Sequence, residues 1–198
     1  MKIFILLFFL VMPMIEVKAD TLIVGDSIFA LTGDVPDNLK AAGLDFEIRA
    51  QVGAKIEQIA LQYQTYKEEN GVPSLIIMDG GGNNILRGAF LECLRGTQKC
   101  YEIIDEIYTM KRQITDEMKA DGVEKIIYVG IHYLHGWRSP LNIPIDYAMD
   151  RFKINDVTTL IDIREPFKEE GLLLVDGLHP NAKGSKIISD LILLELQE

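Results

Sequence analysis

Asp176 and His179 lie three residues apart in the turn-forming stretch Asp176-Gly177-Leu178-His179-Pro180-Asn181. The carboxylate can curl back to the imidazole Nδ1, which leaves Nε2 free to take a proton. A base fixed in that way needs a hydroxyl to activate. Ser27, in Gly25-Asp26-Ser27 directly after a short apolar run, is the obvious recipient. A serine attacking an acyl carbon also needs donors where the oxyanion of the tetrahedral intermediate forms. The backbone N–H groups of Ser27 and Gly53 and the side-chain amide of Asn83 can supply them.

Each piece has a plainer reading. Gly25-Asp26-Ser27 alone could be a turn in which Asp26 caps a helix. Gly80-Gly81-Gly82-Asn83-Asn84 could be a turn or a dinucleotide loop, but it lacks the Gly-x-Gly-x-x-Gly spacing and the Lys-Ser/Thr of a phosphate loop. Asp176 to Pro180 could be a loop with a solvated histidine. His132 and His135 precede Trp137 on another loop, yet no third ligand stands near them in sequence, so neither a metal nor any other cofactor is expected. Tyr133, His135 and Trp137 are candidates for stacking on or touching a substrate, the alternative being that they only anchor their loop. Arg138 is a candidate contact for an anionic group.

These residues need a scaffold that brings distant loops to one place. Five short β-rich runs are candidate strands: Thr21 to Val24, Phe46 to Val52, Leu75 to Met78, Lys125 to Val129 and Thr159 to Ile163. Helical segments lie between and after them, at Val35 to Ala42, Ile56 to Asn70, Tyr101 to Ala120, Ile145 to Phe152 and Ala182 to Leu196. In Ile56 to Tyr66 the residues Ile56, Ile59, Ala60 and Tyr63 form one apolar helix face. Alternating strands and helices give an α/β fold with a parallel sheet covered on both faces. In such a sheet ligands bind beyond the carboxyl ends of the strands, where the residues named above fall. Residues 20–198 form one domain with no lid module, so the cleft is expected to be open.

The first residues read differently. Lys2 is followed by the apolar run Ile3 to Val11, then Pro13 and a polar stretch ending Val17-Lys18-Ala19. This is a signal-peptide pattern, with cleavage expected after Ala19 and export to a periplasm or beyond the cell. Pro13 and Glu16 stand where a spanning anchor would continue, so no stable membrane span is expected after cleavage. Removing residues 1–19 makes the mature chain one unit more negative than the −10 of the full sequence. With no Lys/Arg cluster to offset that charge, nucleic acid is not an expected partner. Cys93 and Cys100 are the two cysteines, and in an exported protein their spacing suggests a disulfide closing a small loop, the alternative being two free thiols.

The same residues resemble the blocks of the SGNH/GDSL hydrolases. Gly25-Asp26-Ser27-Ile28 resembles the nucleophile block, Gly53 the glycine of the second block, Gly81-Gly82-Asn83-Asn84 the third, and Asp176 to Pro180 the Asp-x-x-His-Pro block. The resemblance runs from Asp20 to the last helix. It implies a flavodoxin-like three-layer α/β/α sandwich with a five-stranded parallel sheet, a triad of Ser27, Asp176 and His179, and an oxyanion hole of the Ser27 and Gly53 N–H groups with the Asn83 side chain. Two positions depart from the pattern: Ile28 replaces the usual leucine, and Asn84 stands where the family commonly has aspartate, which leaves the orientation of Asn83 open. The implied activity is hydrolysis of carboxylic esters through an acyl-enzyme on Ser27. A small O-acyl or carbohydrate ester is preferred over a lipid, with acyl transfer by the same triad and a non-catalytic binding module as the alternatives.

Overall fold

The computed structural model describes residues 20–152 and 155–197. The N-terminal segment read as a signal peptide lies outside them. Five parallel strands, β1 (Thr21–Val24), β2 (Glu47–Ile48), β3 (Leu75–Met78), β4 (Lys125–Val129) and β5 (Thr158–Ile161), form one sheet in the order β2-β1-β3-β4-β5. Among the described residues eight α-helices accompany them: α1 (Ser27–Ala30), α2 (Asp34–Ala41), α3 (Ile56–Asn70), α4 (Gly82–Gly88), α5 (Phe90–Leu94), α6 (Gln98–Asp121), α7 (Asn142–Asp150) and α8 (Ala182–Glu195). This is the flavodoxin-like α/β/α arrangement, whose strand order reverses between β1 and β3.

The central strands β1, β3 and β4 are buried on both sides because their residues alternate between two cores. Leu22, Val24, Ile76, Met78, Ile126 and Tyr128 pack with Ile56, Ile59 and Tyr63 of α3 and with Ile114 and Met118 of α6. Ile23, Ile77, Ile127 and Val129 face the other way, onto Val35 and Leu39 of α2 and Ile188 and Ile192 of α8. A third cluster joins Ala89, Cys93, Cys100 and Ile104 to Leu134, Leu141, Ile145 and Met149. It ties the segments around α5 to those around α7.

Several boundaries differ from the sequence expectation. The run expected at Phe46 to Val52 has a ladder over Glu47–Ile48 alone, although the N–H groups of Arg49 and Gln51 still donate to the carbonyls of Ile23 (2.8 Å) and Gly25 (3.1 Å). As an edge strand it is paired on one side only, so its ladder ends early. The long helix begins three residues sooner than Tyr101 and ends at Asp121, where Gly122 takes a left-handed φ of 108°. The segment expected from Ile145 begins at Asn142 and follows a 3₁₀ turn over Gly136–Leu141. Helix α1 is the one that Asp26 caps, and α4 and α5 lie outside the expected helical segments because each is under eight residues long and α4 begins and ends on glycine.

Candidate active site

Ser27 follows β1 at the point where the strand order reverses, and its position is fixed from below. Gly25 has φ +152°, and a β-carbon there would stand 1.8 Å from Oδ1 of Asp79. Its N–H donates to Gln62 Oε1 (2.8 Å), and its carbonyl accepts from Gln62 Nε2 (3.0 Å). Asp26 donates its N–H to Oδ1 of Asp79 at 2.7 Å. The Asp26 side chain then caps α1 by accepting from the Ile28 N–H at 3.2 Å. Helix α1 thus starts with the Ser27 hydroxyl turned towards the other strand ends.

The Asp176–His179 turn meets that hydroxyl. His179 Nε2 lies 2.9 Å from Ser27 Oγ, and Nδ1 lies 2.6 Å from Asp176 Oδ2. Asp176 Oδ1 accepts the N–H groups of Leu178 (2.8 Å) and His179 (3.0 Å), which holds the turn closed. Burial pushes the Asp176 carboxyl up, but the bonds from His179 and from these two N–H groups outweigh it and hold its pKa down to about 2. An ionised Asp176 fixes the proton on Nδ1, so Nε2 can accept one from Ser27. Beyond the turn, Asn181 caps α8 and donates to the Gly171 carbonyl at 2.7 Å. His132 is buried beside it, stacked on Phe167 and bonded to the backbone of Tyr133 and Leu178, and burial pushes its pKa down.

The orientation of Asn83, which the sequence leaves open, rests on Asp26. Asn83 is buried and donates through Nδ2 to Asp26 Oδ2 at 3.0 Å. An amide nitrogen carries two hydrogens, so one remains for an oxyanion. The residue in the aspartate position of the family pattern, Asn84, takes a different part. Its Oδ1 accepts the Ile56 N–H (3.0 Å) and its Nδ2 donates to Glu57 (3.1 Å), which pins α4 to the start of α3. Gly53 has φ +76° in the loop after β2.

Sequence reasoning missed the groups beneath the serine turn. Asp79 is buried at 2% exposure, with Oδ2 unpartnered among the described residues. Burial and then the Asp26 charge push its carboxyl well above the usual carboxylate range. Lys111 is buried on α6, and burial lowers its pKa to about 8 against the opposing pull of Asp79 and Asp26. Its ammonium lies 4.9 Å from the Tyr128 ring centre.

A cavity of about 110 Å³ opens beside Ser27 and His179. Its floor comes from the ends of β3 and β4, and its wall from Ile85, Leu141, Pro144 and Ile145 with Leu178 on the Asp176–His179 turn. The open cleft expected from the sequence is therefore walled on one side by the segment leading into α7. Tyr133, His135 and Trp137 do not line it. Tyr133 donates to Asp146 (2.6 Å), His135 Nε2 lies 3.0 Å from the Phe167 carbonyl, and Trp137 packs edge-on to Phe90 with Arg138 stacked 4.2 Å from its ring. The sulfurs of Cys93 and Cys100 are joined at 2.04 Å, between α5 and α6. Among the described residues no group of three His, Cys, Asp or Glu is placed to hold a metal ion, and no helix is long and apolar enough to cross a membrane.

Solved structures share the three-layer fold. The lipase Lip_vut3 from a goat rumen metagenome matches with a TM-score of 0.72 at 13% identity, over 88% of this chain and 95% of that one. Axe2 from Geobacillus stearothermophilus, an acetyl-xylooligosaccharide esterase, matches at 0.59 and 18% identity over 88% and 92%. A protein from Slackia heliotrinireducens assigned as an SGNH hydrolase matches at 0.60 and 13% identity over 87% and 95%. At these identities the likeness is one of fold. No protein-family model and no curated protein sequence matches the chain.

Proposed function

We propose that this protein is a serine esterase that hydrolyses carboxylic esters through an acyl-enzyme on Ser27. The observation that carries the reading is the unbroken hydrogen-bonded chain Ser27–His179–Asp176, at 2.9 and 2.6 Å. Ser27 Oγ attacks the carbonyl carbon as its proton passes to His179 Nε2. The oxyanion is held by the Ser27 and Gly53 N–H groups and the free Asn83 amide hydrogen. Collapse breaks the bond to the alcohol, which leaves with the proton from His179. Water then attacks the acyl-enzyme with His179 again as base, releasing the acid and restoring Ser27. None of these steps calls on a cofactor.

The acyl group beds in the cavity beside Ser27, whose aliphatic walls favour a chain longer than acetyl. The small O-acyl group preferred from the sequence is the alternative. A carbohydrate alcohol keeps its support, since Axe2, of the same fold, is an acetyl-xylooligosaccharide esterase. We place the mature protein outside the cytoplasm after cleavage near Ala19, a reading supported by the apolar run Ile3 to Val11 and by the Cys93–Cys100 disulfide. A fluorophosphonate probe tests the nucleophile directly: labelling at Ser27 is expected, and a folded chain that resists the probe would point to a binding module.

A further inference from the structure

Two guanidinium groups without a carboxylate partner stand against the loops that carry the reacting groups. Arg49, Arg112, Arg151 and Arg164 are all ion-paired. Among the described residues Arg87, Arg95 and Arg138 form no ion pair, and Arg95, at the end of α5, lies outside those loops. Arg87 is exposed on α4, one helical turn after Asn83 and on the same face of the helix. It lies against Gly53, where a β-carbon would stand 2.3 Å from Nη2 and 3.0 Å from Cζ. Arg138 lies against Gly177 of the Asp176–His179 turn, where a β-carbon would stand 3.1 Å from Nη1.

The apolar cavity extends from Ser27 over the ends of β3 and β4, whereas Gly53 follows β2, on the other side of β1. An acyl chain in the cavity therefore directs the alcohol half of an ester towards Gly53 and Arg87. The chain as a whole, at −10, repels anions. The Arg87 guanidinium against Gly53, with no carboxylate partner among the described residues, opposes that field locally and matches the geometry of a carboxylate or phosphate. Resting on the esterase reading above, we propose that the alcohol half of the substrate carries an anionic group, carboxylate or phosphate, held by Arg87. Arg87 is then a specificity-determining residue.

The test compares 4-nitrophenyl butyrate with 3-carboxy-4-nitrophenyl butyrate on the full mature chain and on its Arg87→Gln, Arg87→Lys and Arg138→Gln variants. Comparing the ratio of kcat/KM for the two esters between enzymes cancels their intrinsic difference in reactivity. In Arg87→Gln the carboxylate-to-neutral ratio should fall by about tenfold, mainly through KM, with Arg87→Lys intermediate and Arg138→Gln, on the other side of β1, near wild type. A ratio within about twofold of wild type in Arg87→Gln, with neutral-ester turnover retained, overturns the anion site alone. Loss of all turnover in wild type would instead sink the esterase reading. In that case, heat protection by 5-hydroxy-2-nitrobenzoate still decides the anion site. Greater protection of wild type than of Arg87→Gln supports it, and equal protection overturns it.

Discussion

The Asp26 carboxylate accepts the Asn83 amide at 3.0 Å on one oxygen and the Ile28 N–H at 3.2 Å on the other. One side chain thereby fixes both the start of the serine helix and the direction of a proposed oxyanion donor. In Asp26→Ala both are lost: stability should fall by about 1 kcal/mol from the missing cap, and kcat by about 10- to 100-fold. Asp26→Asn separates the two effects. Its Oδ1 can still cap α1, but its Nδ2 would face the Asn83 Nδ2, donor against donor. The Tm of Asp26→Asn should lie near wild type while kcat falls as far as in Asp26→Ala. Recovery of kcat in Asp26→Asn would show that Asp26 does not orient Asn83.

The aliphatic lining of the cavity sets a chain-length profile. From acetyl to hexanoyl 4-nitrophenyl esters, kcat/KM should rise by up to about fourfold per methylene, the value of burying each group. Ile145 is buried and lines the far wall, so Ile145→Trp should fill the cavity and move the optimum to acetyl. A flat or falling profile in wild type would place the acyl group elsewhere.

The Cys93–Cys100 disulfide closes a short loop, and both residues are fully buried in the cluster that includes Leu134, Leu141 and Ile145. Replacing both by alanine should cost about 2.5 kcal/mol through loop entropy and flatten the chain-length profile by loosening the cavity wall. Thermal unfolding with and without a reductant, followed by the same ester series, reads both effects.

Much of this arrangement is legible in the sequence, and the remainder is not, for a physical reason. Strands such as Leu75 to Met78 and Lys125 to Val129 announce themselves as short apolar runs, and the spacing of Asp176 and His179 is a local property of one turn. Asp79, Gln62 and Asn84 act across the fold, bonding to Asp26, Gly25 and Ile56 from other elements. Nothing in their local pattern separates them from ordinary polar residues. Tyr133 and Trp137 show the same limit, since an aromatic on a strand-end loop reads alike whether it faces a ligand or its own neighbours. Helix α4 escaped notice because three glycines, Gly80 to Gly82, lead into it and read as loop.

Acid should reveal the Asp176 contacts. With a folded pKa of about 2 against an ordinary 3.8, Asp176 contributes stability that is fully present above 3.8 and lost as pH falls through about 2. Asp176→Asn removes that contribution, so its stability deficit relative to wild type should shrink as pH falls from 4 to 2, as read by denaturant unfolding at each pH. At neutral pH the same variant should lose about 10³- to 10⁴-fold in kcat, because the amide no longer holds His179 in the required tautomer. A deficit constant from pH 4 to 2 would mean that Asp176 is not held ionised by its turn.

The most direct measurement is hydrolysis of 4-nitrophenyl butyrate by the mature chain, beside Ser27→Ala and His179→Ala variants with unchanged circular dichroism. Wild type should turn the ester over, and each variant should lose at least about 10³-fold in kcat, with the double variant little worse than either single one because the two residues act as a unit. Turnover by Ser27→Ala at a rate near wild type would contradict an acyl-enzyme on Ser27.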